Sequence, residues 1–145
     1  MLKMVLVGLA FAAHAVAFAQ ATPVGLWKTI DDDGKTEKSL VRISESGGVL
    51  TGRIEKLLDP TAKPDAVCDK CTDERKGKPV VGLTILRNLK RSADDAEWWD
   101  GGDVTDPNNG KVYKVRVRTI EEGRKLQMRG YIGPFYRTQT WIRAE

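Results

Sequence analysis

The chain has 145 residues, of which 24 are basic, 20 acidic and one histidine, for a net charge of +4. That length suits one domain, and the basic surplus is scattered, with no Lys/Arg block flanked by aromatics, which excludes a nucleic-acid-binding stripe. The single histidine, His14, lies in the N-terminal apolar stretch, so a chain cleaved after it has none, and Ser-His-Asp or Cys-His catalysis and histidine-bound zinc are excluded.

Lys3 is the only charged residue before Gln20, and Met4 to Ala13 is an unbroken apolar run. Ala17-Phe18-Ala19 then supplies the small-x-small pattern of a signal-peptidase site, which predicts a leader over 1–19 and a mature domain over 20–145. The apolar stretch is shorter than the roughly 20 residues of a membrane span, and no second one follows, so no span is expected after cleavage. No cysteine stands near the cleavage point to take a lipid anchor.

Short alternating runs separated by turn residues follow in order. Leu26–Ile30 reads as a first strand, closed by Asp31-Asp32-Asp33-Gly34-Lys35; Leu40–Ser44 is a second and Val49–Leu57 a third. Residues 59–79 carry three prolines, many charges and both cysteines, and read as a long loop. Val80–Leu86 is a nearly continuous apolar strand, Glu97–Val104 contains Trp98 and Trp99, and Asn109-Gly110 marks a tight hairpin. Lys111–Arg118, Lys125–Gly130 and Tyr136–Arg143 complete eight strands. Spacing of this kind predicts an all-β domain, a single eight-stranded antiparallel up-and-down barrel, just wide enough for side chains or one small ligand.

The alternation assigns faces. Tyr113, Val115 and Val117 oppose Lys114, Arg116 and Arg118; Leu126 and Met128 oppose Gln127 and Arg129; Val41 and Ile43 oppose Arg42 and Ser44. Trp98 and Trp99 alternate, so at most one lines the interior. If Trp141 and Arg143 point inward, Arg137 and Gln139 share their face.

Cys68-Asp69-Lys70-Cys71 admits a structural disulfide, a redox pair or a metal site. An oxidising envelope favours the disulfide. The residues after Cys71 make a poor helix N-terminus for depressing a thiol pKa, and zinc lacks further ligands. Asp31-Asp32-Asp33-Gly34 lacks the acid a calcium loop needs at its twelfth position and reads as a turn. Asp100, Asp103 and Asp106 each adjoin Gly or Pro, where aspartate is an ordinary turn former. No catalytic residue, metal or cofactor is assigned.

Gly25-x-Trp27 on the first strand, with Arg143 on the last, resembles the signature of lipocalins and their calycin relatives. That resemblance implies that Trp27 closes one end of a barrel with Arg143 packed over its ring. More closely, the mature chain resembles a bacterial family, domain of unknown function 2147. The likeness rests on Gly25-Leu26-Trp27, Ser39-Leu40-Val41-Arg42-Ile43, Cys68-x-x-Cys71 and Gly77-Lys78-Pro79-Val80-Val81-Gly82-Leu83. It continues through Asp106-Pro107, Gly110-Lys111-Val112-Tyr113, Gly130-Tyr131-Ile132-Gly133 and Gln139-Thr140-Trp141. It implies a lipocalin-like fold and export, and no chemistry. An inward Arg137 beside Gln139 is similar to the Arg-x-polar pair with which fatty-acid-binding barrels hold a carboxylate; the alternative puts Arg137 at the rim, solvated or paired with an acid such as Glu55.

The expectation is a non-enzymatic periplasmic protein that holds a small hydrophobic or amphipathic molecule, an anion if Arg137 reads it. The lining would be Trp27, Val41, Ile43, Tyr113, Val115, Val117, Leu126, Met128, Arg137 and Gln139. A filled barrel that presents the 59–79 loop to a protein partner is the alternative, and a redox or hydrolytic enzyme stands last.

Overall fold

The computed structural model describes Ala10, Ala12 and residues 21–145. Apart from those two alanines, the expected leader lies outside the described residues. Among the described residues no helix is long and apolar enough to cross a membrane.

Eight antiparallel strands close into a barrel in chain order: β1 Gly25–Ile30, β2 Glu37–Ser46, β3 Val49–Leu57, β4 Thr84–Arg91, β5 Trp99–Thr105, β6 Val112–Ile120, β7 Lys125–Ile132 and β8 Phe135–Arg143. Closure is made by β1 against β8, with Trp27 opposite Arg143 and Lys28 opposite Ile142. The expected architecture is therefore the observed one. A closed ring leaves no unpaired strand edge, which is how a small all-β domain avoids edge-to-edge association.

The fourth strand departs from expectation. It runs over Thr84–Arg91, not Val80–Leu86. Val80 and Leu83 are buried, but they sit in a turn in which the Leu83 amide donates to the Val80 carbonyl at 3.1 Å. The real strand continues into the polar Asn88-Leu89-Lys90-Arg91, where Asn88 adopts φ 61° and pairing with β3 shifts between Leu50 and Gly52. A bulge of this kind breaks the period-two pattern that marks a strand in sequence. The β4–β5 approach is so close that a Cβ on Gly102 would stand 2.1 Å from the Arg87 carbonyl oxygen.

One half of the barrel is solid. Trp27, Val41, Ile43, Leu50, Ile54, Leu86, Leu89, Trp99, Val115, Val117 and Leu126 pack there as one buried cluster. Trp27 is fully buried, and its indole N–H donates to the Pro23 carbonyl at 2.7 Å. Arg143 lies across its ring, guanidinium carbon 4.2 Å from the centroid, and donates to the carbonyls of Gly123, Val24 and Thr22 at 2.6, 2.9 and 2.7 Å. Residues 21–24, the β6–β7 turn and the end of β8 are thereby tied over this end. The glycine of the G-x-W signature follows from the same contact: Gly25 has φ 138°, and a Cβ there would meet the Arg143 guanidinium at 2.6 Å.

Candidate functional site: the open end of the barrel

The opposite half is hollow. A cavity of about 470 Å³ lies between the open ends of the strands and the 59–79 loop. Met128 and Trp141 form its floor, and Leu57, Ala66, Val80 and Val104 give apolar walls. Asp31, Asp32, Lys38, Asp59, Asp106 and Arg137 ring the mouth.

The loop is part of that wall. Arg75, 6% exposed, binds both carboxylate oxygens of Asp73 and donates to the Thr84 carbonyl at 2.8 Å. Val67 bridges to Pro79, and the Cys68 amide donates to the Lys78 carbonyl at 2.8 Å. Cys68 and Cys71 form a disulfide. The tight loop it closes packs on the β5–β6 hairpin so closely that a Cβ on Gly110 would stand 1.9 Å from the Lys70 carbonyl oxygen. Asp59, Thr61, Ala62, Ala66 and Val80 thus reach the cavity. A barrel filled throughout fits only the closed half.

Of the ten residues expected to line a ligand space, Tyr113, Met128, Arg137 and Gln139 border the cavity. Trp27, Val41, Ile43, Val115, Val117 and Leu126 do face inward but do not border it: they fill the solid half, where their side chains pack on one another. Arg137 stands at the rim. Its side chain is 73% exposed and pairs with Asp32 at 3.0 Å, while Glu55 pairs with Arg42 at 2.6 Å. Gln139 donates to the other Asp32 oxygen at 2.9 Å and accepts the Trp141 indole N–H at 3.1 Å. An inward, unpaired Arg137 ready for a carboxylate is therefore not what the geometry presents. Asp32 already occupies that role.

The mouth is acidic on balance. Lys38 pairs with Asp59 at 2.9 Å, and Asp59 bonds the Thr61 hydroxyl and amide as well. Those contacts, the Thr61 hydroxyl first and the Lys38 ammonium after it, hold the Asp59 carboxyl down at about 2. Lys38 is in turn raised, chiefly by Asp59, with Asp31 and Asp106 adding to the negative field around it. Both mouth cations are thus committed. Asp31 and Asp106 line the mouth with no ion-pair partner among the described residues.

Sequence reading missed three hydroxyls in the wall. Thr29 and Ser39 satisfy each other at 2.8 Å, buried where β1 meets β2. Thr105, the last residue of β5, is 1% exposed, lines the cavity, and its hydroxyl has no hydrogen-bond partner among the described residues. A buried hydroxyl without a partner carries a desolvation cost, and this one is shut inside the cavity wall.

These features define the class: a lipocalin-like barrel, solid at one end and open at the other. Residues 25–143 match the family described as an uncharacterized protein conserved in bacteria, DUF2147, and the chain belongs to it. Among solved structures, a protein of the human pathogen Helicobacter pylori, HP1028, reported to belong to the lipocalin family, is similar with a TM-score of 0.72. The two share 19% identity over 86% of this chain and 84% of the other, a likeness of fold. Comparison with curated proteins finds no match.

Proposed function

We propose that this chain is an exported, non-catalytic protein that binds a small amphipathic molecule in the open half of the barrel. The observation that carries the reading is the cavity itself. Its volume, about 470 Å³, falls within the roughly 300–1,000 Å³ of ligand sites, and it combines an apolar floor with a few convergent polar groups. The ligand's apolar body rests on Met128 and Trp141, and its head lies among the carboxylates of the mouth. Export rests on the leader pattern of residues 1–19, and the non-catalytic reading on the absence of histidine from residues 20–145.

The mouth revises the expected ligand charge. Two unpaired carboxylates and two committed cations favour a cationic or hydrogen-bond-donating head over an anion, because a second anion there meets only like charge. Matched ten-carbon probes separate the cases: decylamine, decanol and decanoate, titrated against intrinsic tryptophan fluorescence, with Trp141 at the floor as reporter. The expected order of affinity is amine, then alcohol, then acid, and Asp106→Asn narrows the gap between amine and alcohol. Tightest binding of decanoate returns the anion reading. No binding of any probe overturns the ligand-binding proposal.

A further inference from the structure

A second charged cluster lies on the outside of the barrel, away from the cavity. Trp98, just before β5, packs not into the core but on the outer wall of β6 and β7, where it is almost fully buried beneath arginines. The guanidinium carbons of Arg116, Arg118 and Arg129 lie 4.1, 4.5 and 4.8 Å from the centroid of its ring, and Arg129 is also 4.8 Å from the Tyr136 ring. Three positive charges are therefore gathered around one indole.

Among the described residues an acid pairs with only one of them. Arg116 and Arg129 stand directly opposite each other in the β6–β7 ladder, a placement that disfavours like charges. Arg118 has Glu97 at 3.4 Å and Gln127 at 2.7 Å. Arg116 and Arg129 have no acid partner among the described residues, and the Nε of each is buried without a hydrogen-bond acceptor. An aromatic face attracts a cation, but it carries no charge to cancel one. Those buried Nε–H groups are out of reach of a ligand, but the terminal nitrogens of both guanidiniums also bond no acceptor among the described residues, and two such groups fixed by a shared ring suit an oxyanion that accepts from both.

We propose that the outer wall around Trp98 is a binding site for a doubly charged oxyanion, a phosphate or sulfate group held between Arg116 and Arg129. The group arrives either as the free ion or as the monoester headgroup of a lipid. Arg118 adds positive field from the side, and Tyr136 closes the exposed edge next to Arg129. This site is independent of the cavity and of what occupies it.

The test follows the arginine Nε–H signals of the isotope-labelled wild-type protein by NMR during titration with inorganic phosphate, at constant ionic strength set with chloride. Saturable shifts are expected at Arg116 and Arg129 and not at Arg53 on the far wall. Arg116→Gln and Arg129→Gln should each weaken phosphate binding about tenfold, the loss of one charge-assisted fork. Lys90→Gln, the same charge change elsewhere, should leave binding within about twofold. Vesicles containing phosphatidic acid, compared with plain phosphatidylcholine, distinguish the sources. Vesicle binding that free phosphate displaces and Arg129→Gln abolishes assigns the site to a lipid headgroup; phosphate binding without vesicle binding assigns it to a soluble ion. Shifts spread evenly over all arginines, equal losses in the three variants, or no response to phosphate and vesicles overturn the proposal. Because the NMR readout uses the wild-type chain, it stands even if a variant fails to fold.

Discussion

Removing both partners of the latch between the two ends of the chain should cost less than the two single removals added together. Trp27 is fully buried in the solid half, so Trp27→Ala should destabilise the fold by about 3–5 kcal/mol. Arg143 donates to three backbone carbonyls and lies 4.2 Å over the indole, and burial pushes its guanidinium pKa down. It is only partly buried, so bonds from its charged donors count at the lower end of their range, and Arg143→Ala should cost about 2–4 kcal/mol. The cation–π contact itself is worth about 1–2 kcal/mol in a partly desolvated setting and should be lost in either single variant. The double variant should therefore fall short of the sum of the two by about that amount. Urea unfolding followed by far-UV circular dichroism gives the four stabilities, with Trp27→Phe in place of alanine if the larger truncation leaves no folded protein. Arg143→Lys should keep much of the coupling to Trp27 while losing most of the carbonyl bonds, since an ammonium cannot span three acceptors. A coupling within about 0.5 kcal/mol of zero would refute the latch, because independent sites add to within that margin.

Thr105→Val should leave the protein as stable as the parent or about 1 kcal/mol more stable, since it removes a buried unpartnered hydroxyl; urea unfolding checks it, and a loss of more than about 1 kcal/mol would contradict the unpartnered state. Cys68→Ser with Cys71→Ser should cost no more than about 2 kcal/mol, as the bridge closes a very short loop, and circular dichroism should still report a folded barrel; loss of the fold would mean that the bridge anchors more than its own turn. The Asp59 carboxyl, held at about 2 against an ordinary 3.8, binds fewer protons in the folded chain than in the unfolded one across that interval. Its contribution to stability is therefore present above the ordinary value and is lost as pH falls toward about 2. The Thr61 amide, which donates to Asp59 at 2.9 Å, should titrate by NMR with that low midpoint, and a midpoint near 3.8 would contradict the contact.

Period two reveals which face a residue takes, and it placed Val41, Val115, Leu126 and Met128 inside and Arg42, Arg116 and Arg129 outside. It carries no information on height along the barrel axis. The inward residues therefore read as one lining, whereas Leu126 and Val117 are core, and Met128 and Tyr113, nearer the mouth on β7 and β6, reach the cavity. The β4 strand was obscured by its bulge at Asn88, where a polar stretch continues the pairing that an apolar stretch seemed to finish. Loop 59–79 was legible as a loop, but its seat over the mouth depends on Arg75 reaching the Thr84 carbonyl, a contact no local pattern encodes. The Asp32–Arg137 pair joins residues 105 positions apart, so the rim partner of Arg137 was visible only as one acid among many. Thr105 stood at a strand end with nothing in its surroundings to mark it, because an unsatisfied hydroxyl is a property of the assembled wall.

Native mass spectrometry of the protein purified from bacteria that make it tests the central claim most directly, that the open half of the barrel holds a small amphipathic molecule. The account predicts a noncovalent adduct of one or a few discrete masses on the wild-type chain, lost when Met128→Trp fills the cavity floor while the barrel stays folded. A bare chain mass for the wild type, under conditions that preserve noncovalent complexes, or an adduct that Met128→Trp leaves unchanged would contradict it.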